Sequence, residues 1–197
     1  VVRDEMATNP IRVANCSGFF GDRLSAAKEM VEGGPIDALT GDWLAELTML
    51  ILSRIQAKSP GGGYARTFVT QMEQVMGQCL DKGIKVITNA GGLNPEGCAD
   101  AVQQVADRLG IAPKIAYVGG DDLSKRLTDL IGSGNRFNHL DTGEPLGKLA
   151  DRIVTANAYI GCWGIVEALN QGADIVVTGR ATDAAVVAGP AAWHHQW

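Results

Sequence analysis

Four times in this chain a helix-like stretch halts at glycine and a short apolar run follows at once. The four are Gly33-Gly34-Pro35-Ile36, Gly83-Ile84, Gly110-Ile111 and Gly172-Ala173-Asp174-Ile175. Glycine just past a helix takes the left-handed conformation that side chains resist, so each marks a helix end. A strand beginning there must run back into the core. Repetition of this unit predicts an α/β fold with a mostly parallel sheet and helices on both faces, doubly wound and Rossmann-like. Such sheets place their binding sites beyond the carboxyl ends of the strands.

Six apolar runs read as strands: Ile11–Cys16, Ile36–Thr40, Ile84–Asn89, Lys114–Val118, Ile153–Asn157 and Asp174–Thr178. Several are continuous rather than alternating, as suits strands buried on both faces. Between them, Asp22–Val31, Asp42–Lys58, Ala65–Asp81, Pro95–Leu109 and Trp163–Asn170 carry apolar residues at helical spacing. Pro60-Gly61-Gly62-Gly63 breaks one helix from the next, and Ile131–Gly147 is a long, weakly apolar loop of the kind that forms a lid or an oligomer arm.

At 197 residues the chain fits a single α/β domain, residues 1–197, with enough mass to bury a core. A formal charge of -5, with lysines and arginines scattered, excludes a nucleic-acid binder that must neutralise phosphates. Cys16, Cys79, Cys98 and Cys162 form no CxxC pair and read as reduced thiols of a cytoplasmic protein. The opening Val1–Pro10 is polar, unlike a signal peptide, and the longest apolar stretch, near Thr48–Leu52, is far too short to span a membrane. Both termini read as cut points. The final Trp193 and Trp197 look exposed, as if chain or a partner normally follows.

In a parallel sheet all strand tips share one edge, and here each tip is small or polar. The first ends Asn15-Cys16-Ser17, the second Thr40-Gly41-Asp42 and the third Thr88-Asn89-Ala90-Gly91-Gly92. The others end Gly119-Gly120-Asp121-Asp122, Asn157-Ala158 and Thr178-Gly179-Arg180-Ala181-Thr182-Asp183. Asp22, Asp42, Asn94, Asp122 and Asp183 are also placed to cap helices, as any α/β fold requires. The recurrence of neutral Asn and Thr at the tips themselves points beyond capping.

Gly91-Gly92-Leu93-Asn94-Pro95 joins a strand to a helix start. It reads either as an anion cradle of backbone amides or as a tight, well-capped turn. Arg180, the one arginine at a strand tip, can pair bidentately with an anionic ligand or bridge to Asp183 or Asp174. Asp121-Asp122 reads as a site for a ribose or a cation, or as one cap beside one solvated charge. No GxGxxG follows the first strand and no Walker loop or GxSxG elbow is present, so no dinucleotide cofactor is expected. His139, Asp141, His194 and His195 lack HExxH-like spacing, and no metal site is expected.

Several blocks together carry a resemblance to a known family. They are Ile11–Arg23, Leu39–Met49, Asn89–Pro95, His139–Gly143, Asn157-Ala158-Tyr159, Val177–Asp183 and Gly189–His194. These strings resemble the acyclic terpene utilisation family, AtuA, from about Ile11 to the end. Family members are much longer, so the resemblance implies that this chain is their N-terminal portion. It also implies a part in breaking down citronellol- and geraniol-type terpenes through acyl-CoA intermediates. It supplies no catalytic residues.

The resemblance, joined to the strand-tip argument, implies an enzyme of lyase or hydratase type acting on branched acyl-CoA thioesters. Asp42 or Asp183 would serve as acid/base, and Asn15, Asn89 and Asn157 as carbonyl-orienting amides. Ser17, Gly91, Gly92, Asn94, Asp121, Asp122, Thr178 and Arg180 would bind the substrate. The alternative is a non-catalytic acyl-CoA-binding or scaffold subunit. Either way the expected partners are a small acyl-CoA or carboxylate ligand and further copies of the chain, with no nucleic acid and no membrane.

Overall fold

The computed structural model describes residues 9–197, so most of the polar opening segment lies outside the described residues. Five parallel strands form one sheet in the order β1-β2-β3-β5-β4. They are β1 (Val13–Asn15), β2 (Ala38–Gly41), β3 (Lys85–Thr88), β4 (Ile115–Val118) and β5 (Ile175–Thr178). The helices are α1 (Ala26–Gly33), α2 (Glu46–Lys58), α3 (Arg66–Asp81), α4 (Pro95–Leu109), α5 (Leu127–Gly132), α6 (Trp163–Asn170) and α7 (Ala185–His195).

Alternation along the strands builds two cores. Leu39, Val86, Ile175 and Val177 face one way, against α1, α3 and α4 through Ala27, Val31, Phe68, Met72 and Val102. Ala38, Ile87 and Val176 face the other, against Ile165 and Leu169 of α6 and Ala185 and Val186 of α7. Period-two side-chain direction makes adjacent strand residues serve opposite helix layers, which is why these runs are continuously apolar.

Three of the four glycine signals hold in conformation as well as place: Gly83, Gly110 and Gly172 have φ of 67°, 68° and 86°. The first does not. Gly33 ends α1 and Gly34 is extended, at φ 169°, so α1 passes into β2 without a left-handed residue.

Ile153–Asn157, expected as a sixth strand, does not join the sheet. A 3₁₀ segment, Leu146–Arg152, leads into it. Residues 156–160 then run as an extended strip above the carboxyl edge, held by an antiparallel bridge Asp122–Asn157 and a parallel bridge Ile160–Ala181. Backbone bonds reinforce it: Leu123 N–H to Ala156 O at 2.7 Å, Ala158 N–H to Asp121 O at 2.7 Å and Thr182 N–H to Ile160 O at 2.9 Å. The strip has partners on both sides, but they are loops rather than strands.

The terminal indoles also differ from expectation. Trp197 is exposed, with its ring stacked on His195 at 5.4 Å, whereas Trp193 packs against the α6–α7 core.

Candidate functional site

Strand order fixes where chemistry belongs. Beyond the tip of β3 the chain leaves for α4 on one face, while beyond β5 it leaves for α7 on the other. The neighbouring tips of β3 and β5 are therefore the point where connections diverge, the usual place for a crevice.

Arg180, just past β5, occupies that point and is only 4 % exposed. Its Nη1 donates to the Leu44 carbonyl at 2.8 Å and lies 3.3 Å from Asp183 Oδ1, while Nη2 lies 3.7 Å from Glu46 Oε1. Its guanidinium carbon sits 4.2 Å above the Tyr159 ring, a cation–π contact strengthened by exclusion of water. Tyr159 in turn donates its hydroxyl to Glu46, which holds that carboxyl below the usual range. One hydrogen bond to the protein is few for a buried group with five donors. Arg180 lines a cavity of about 130 Å³ together with Glu46, Met49, Thr155, Asn157 and Tyr159.

Asp121 holds this arrangement together. It is 2 % exposed, and its Oδ2 accepts from the Arg180 backbone N–H at 2.8 Å and from Asn157 Nδ2 at 2.9 Å. A Cβ at residue 179 would lie 2.5 Å from the same oxygen, so glycine is required there for the carboxylate to fit. Asp121, expected to bind a ligand directly, is instead enclosed by the chain and positions the residues on either side of the cavity.

Asp42 stands at the β2 tip, half-buried. Asn89 donates from Nδ2 to Asp42 Oδ1 at 2.6 Å and accepts the Trp43 backbone N–H on Oδ1 at 2.7 Å, tying β3 to β2. Burial raises the Asp42 carboxyl above its ordinary value; the Asn89 bond opposes this, Asp183 adds to it and Arg180 opposes it. Asn89 is fully buried and engaged with the β2 tip. It orients Asp42 where a carbonyl-orienting role had been expected.

The structure thus brings Asp42, Asn89, Asp121, Asn157, Arg180 and Asp183 to one neighbourhood, with Asp122 beside it through its bridge to Asn157, while Asn15 and Ser17 lie apart and Thr178 and the glycine turn are engaged in their own packing. Asn15 lies at the tip of β1, two strands and roughly 10 Å from β3, with Nδ2 donating to Ser17 O at 2.8 Å. Ser17 is buried and donates to Phe19 O at 3.0 Å. Thr178 is fully buried and donates to the Gly179 carbonyl at 2.9 Å.

The glycine turn is packed from both sides. A Cβ at Gly91 would sit 2.5 Å from the Thr178 carbonyl oxygen, and one at Gly92 would sit 2.7 Å from the Gly63 carbonyl. Leu93 N–H bonds Gly63 O, Asn94 N–H bonds Gly91 O, and Asn94 Oδ1 caps α4 through Gly97 N–H at 2.9 Å. These amides serve a tight, capped turn, leaving no open anion cradle.

Capping explains little else. Asn94 caps a helix, but α2 and α7 carry no side-chain cap from Asp42 or Asp183, and Asp122 accepts from Ser124 N–H at 2.8 Å instead. Arg180 contacts Asp183 and not Asp174, which pairs with Lys85 at 2.8 Å. Among the described residues no cluster of three or more His, Cys, Asp or Glu could hold a metal; His194 lies against Asn9 O, far in the chain from His139.

Glu46, Met49, Thr155 and Tyr159 complete the cavity and were not singled out from sequence. Tyr159 and Glu46 both fall within blocks that carry the family resemblance, and that was the available signal.

Fold and site together define the class: a doubly wound α/β protein whose polar groups converge on the diverging tips of β3 and β5. The profile of the acyclic terpene utilisation family protein AtuA matches residues 11–197, and the chain belongs to that family, which gives it a role in acyclic terpene utilisation. Comparison with curated proteins and with solved structures finds no match. Among the described residues no helix is long and apolar enough to cross a membrane.

Proposed function

We propose that the crevice at Arg180 receives the acyl end of a branched acyl-CoA thioester and that the chain takes part in lyase or hydratase chemistry on it. The observation that carries this reading is the guanidinium itself: buried, stacked on Tyr159, given one hydrogen bond by the protein and lining a cavity. Asp183 at 3.3 Å and Glu46 at 3.7 Å balance its charge but leave N–H donors of the fork unbonded, and a carboxylate or thioester carbonyl supplies an acceptor for them. Asn157, fixed by Asp121, adds an amide on the same cavity wall.

Asp183 and Arg180 both act on the Asp42 carboxyl, in opposite directions. A half-buried carboxyl with raised proton affinity is suited to deliver a proton next to a polarised carbonyl, and exposed Asp183 to accept one. Turnover of a branched acyl-CoA that falls in Asp42→Asn and in Arg180→Ala, with both variants still folding cooperatively, supports the reading. Undiminished turnover in both removes it.

A second reading, a non-catalytic acyl-CoA-binding or scaffold subunit, is favoured by exposed apolar side chains at or next in sequence to the cavity lining. Leu47, Val154 and Tyr159 are 68 %, 63 % and 51 % exposed, more apolar surface than a solvated mouth needs. Ligand binding that depends on Arg180, without turnover and with a co-purifying partner at fixed stoichiometry, selects it.

A further inference from the structure

We infer that the Arg180 cavity is one end of a longer site, and that the adjoining cleft takes the phosphorylated carrier of the thioester while only the acyl end reaches Arg180. The inference rests on the acyl-thioester reading above and adds to it a direction of entry and a second anchoring residue.

Two observations carry it. The first is continuity: Thr155 lines both the 130 Å³ cavity and a cleft of about 650 Å³ between α2 and the tip of β4. The smaller space holds about four water-sized groups, enough for a carboxylate or thioester carbonyl with a few carbons. The rest of any acyl thioester must extend beyond it, and the cleft that shares Thr155 offers the room.

The second is the chemistry of the lining. Ser53 and Gln56 of α2 offer polar groups, Ala57 and Leu93 give apolar surface, Lys125 brings an ammonium that forms no ion pair among the described residues, and the one carboxylate of the lining, Asp122, is engaged by the Ser124 N–H at 2.8 Å. A pantetheine chain alternates amides with methylene groups and ends in phosphates, so it matches this mixture. A terpenoid tail is apolar throughout and offers nothing to Gln56 or Lys125, while the Ser53 hydroxyl, which donates to the Leu50 carbonyl at 2.8 Å, can still accept a bond from an amide. The polarity of the cleft therefore sets the ligand's direction, with acyl end inward and carrier outward.

The test uses three probes of one acid: 3-methylbut-2-enoyl-CoA, its N-acetylcysteamine thioester and the free acid, each titrated calorimetrically. Lys125→Glu is expected to weaken the CoA ester about fivefold and to leave the uncharged N-acetylcysteamine ester unchanged. Ala57→Trp, at an exposed position where folding is not at risk, narrows the cleft and is expected to weaken both thioesters but not the free acid. If both variants bind the CoA ester as the wild type does while Arg180→Ala loses every probe, the cleft assignment falls and the Arg180 site stands. If Arg180→Ala binds all three normally, or the wild type binds none, the functional reading falls and the inference with it.

Discussion

The guanidinium of Arg180 stacks on Tyr159 at 4.2 Å although α6 and β5 separate the two residues in the chain. The contact exists because the 156–160 strip passes over the tip of β5 instead of joining the sheet, and it fixes the plane of the guanidinium fork. Arg180→Lys keeps the charge but loses the fork and the broad stacking surface, so it is not conservative here. Affinity for a carboxylate probe should fall at least tenfold, to roughly the level of Arg180→Ala. Calorimetric titration of both variants checks this, and near-wild-type binding by the lysine variant would show that a point charge suffices.

Asp121 joins the two walls of the cavity through a single oxygen. Asp121→Ala leaves the Arg180 N–H and the Asn157 amide buried without an acceptor, which should cost about 2–4 kcal/mol in denaturant unfolding. Asp121→Asn keeps an acceptor oxygen and should lose clearly less. Gly179→Ala drives a methyl group against the same carboxylate and should cost about 1–3 kcal/mol. Equal midpoints for wild type and Asp121→Ala would mean that the strip is held by its backbone bonds alone.

Each strand that belongs to the sheet beyond β1 follows a helix ending at glycine, and the one expected strand outside the sheet, Ile153–Asn157, follows none. The glycine signal was therefore more discriminating than apolar content, since Val154 is branched and apolar yet 63 % exposed. The sheet was legible because its register depends on short-range features: helix ends, continuous apolar runs and polar tips. The site was legible in part. Convergence at the carboxyl edge follows from parallel topology, which brought Asp42, Arg180 and Asp183 into view. The reach of Tyr159 over Arg180 and the enclosure of Asp121 depend on how a long excursion folds back, and the engagement of Asn89 depends on the pairing of β2 with β3; no local pattern encodes either.

The four thiols differ sharply in environment. Burial pushes Cys16 and Cys79 up to about 12 and raises Cys98 as well, while Cys162 is only partly buried at the start of α6. A thiol reagent at pH 8 should label Cys162 first in the native protein and the other three only on unfolding, because the thiolate is the reacting species. Rapid native labelling of more than one cysteine would show that the α1–α3–α4 core opens readily.

Asp42 carries a pH signature whose sign can be worked out. Its folded-state proton affinity is raised, first by burial, so between the ordinary carboxylate value of 3.8 and its folded value the native state holds more protons than the unfolded chain. Stability should therefore fall as pH rises through that window, and the full penalty should persist at neutral pH. Asp42→Asn removes the charge and keeps an oxygen to accept the 2.6 Å bond from Asn89. The variant should melt above the wild type at pH 7, and the two curves should converge as pH falls toward 3.8. Paired thermal melts from pH 4 to 8 test this. Curves that stay parallel would mean that Asp42 does not bear the penalty. A more stable variant that also fails to turn over substrate would show the crevice holding a destabilising carboxyl because its chemistry needs the proton.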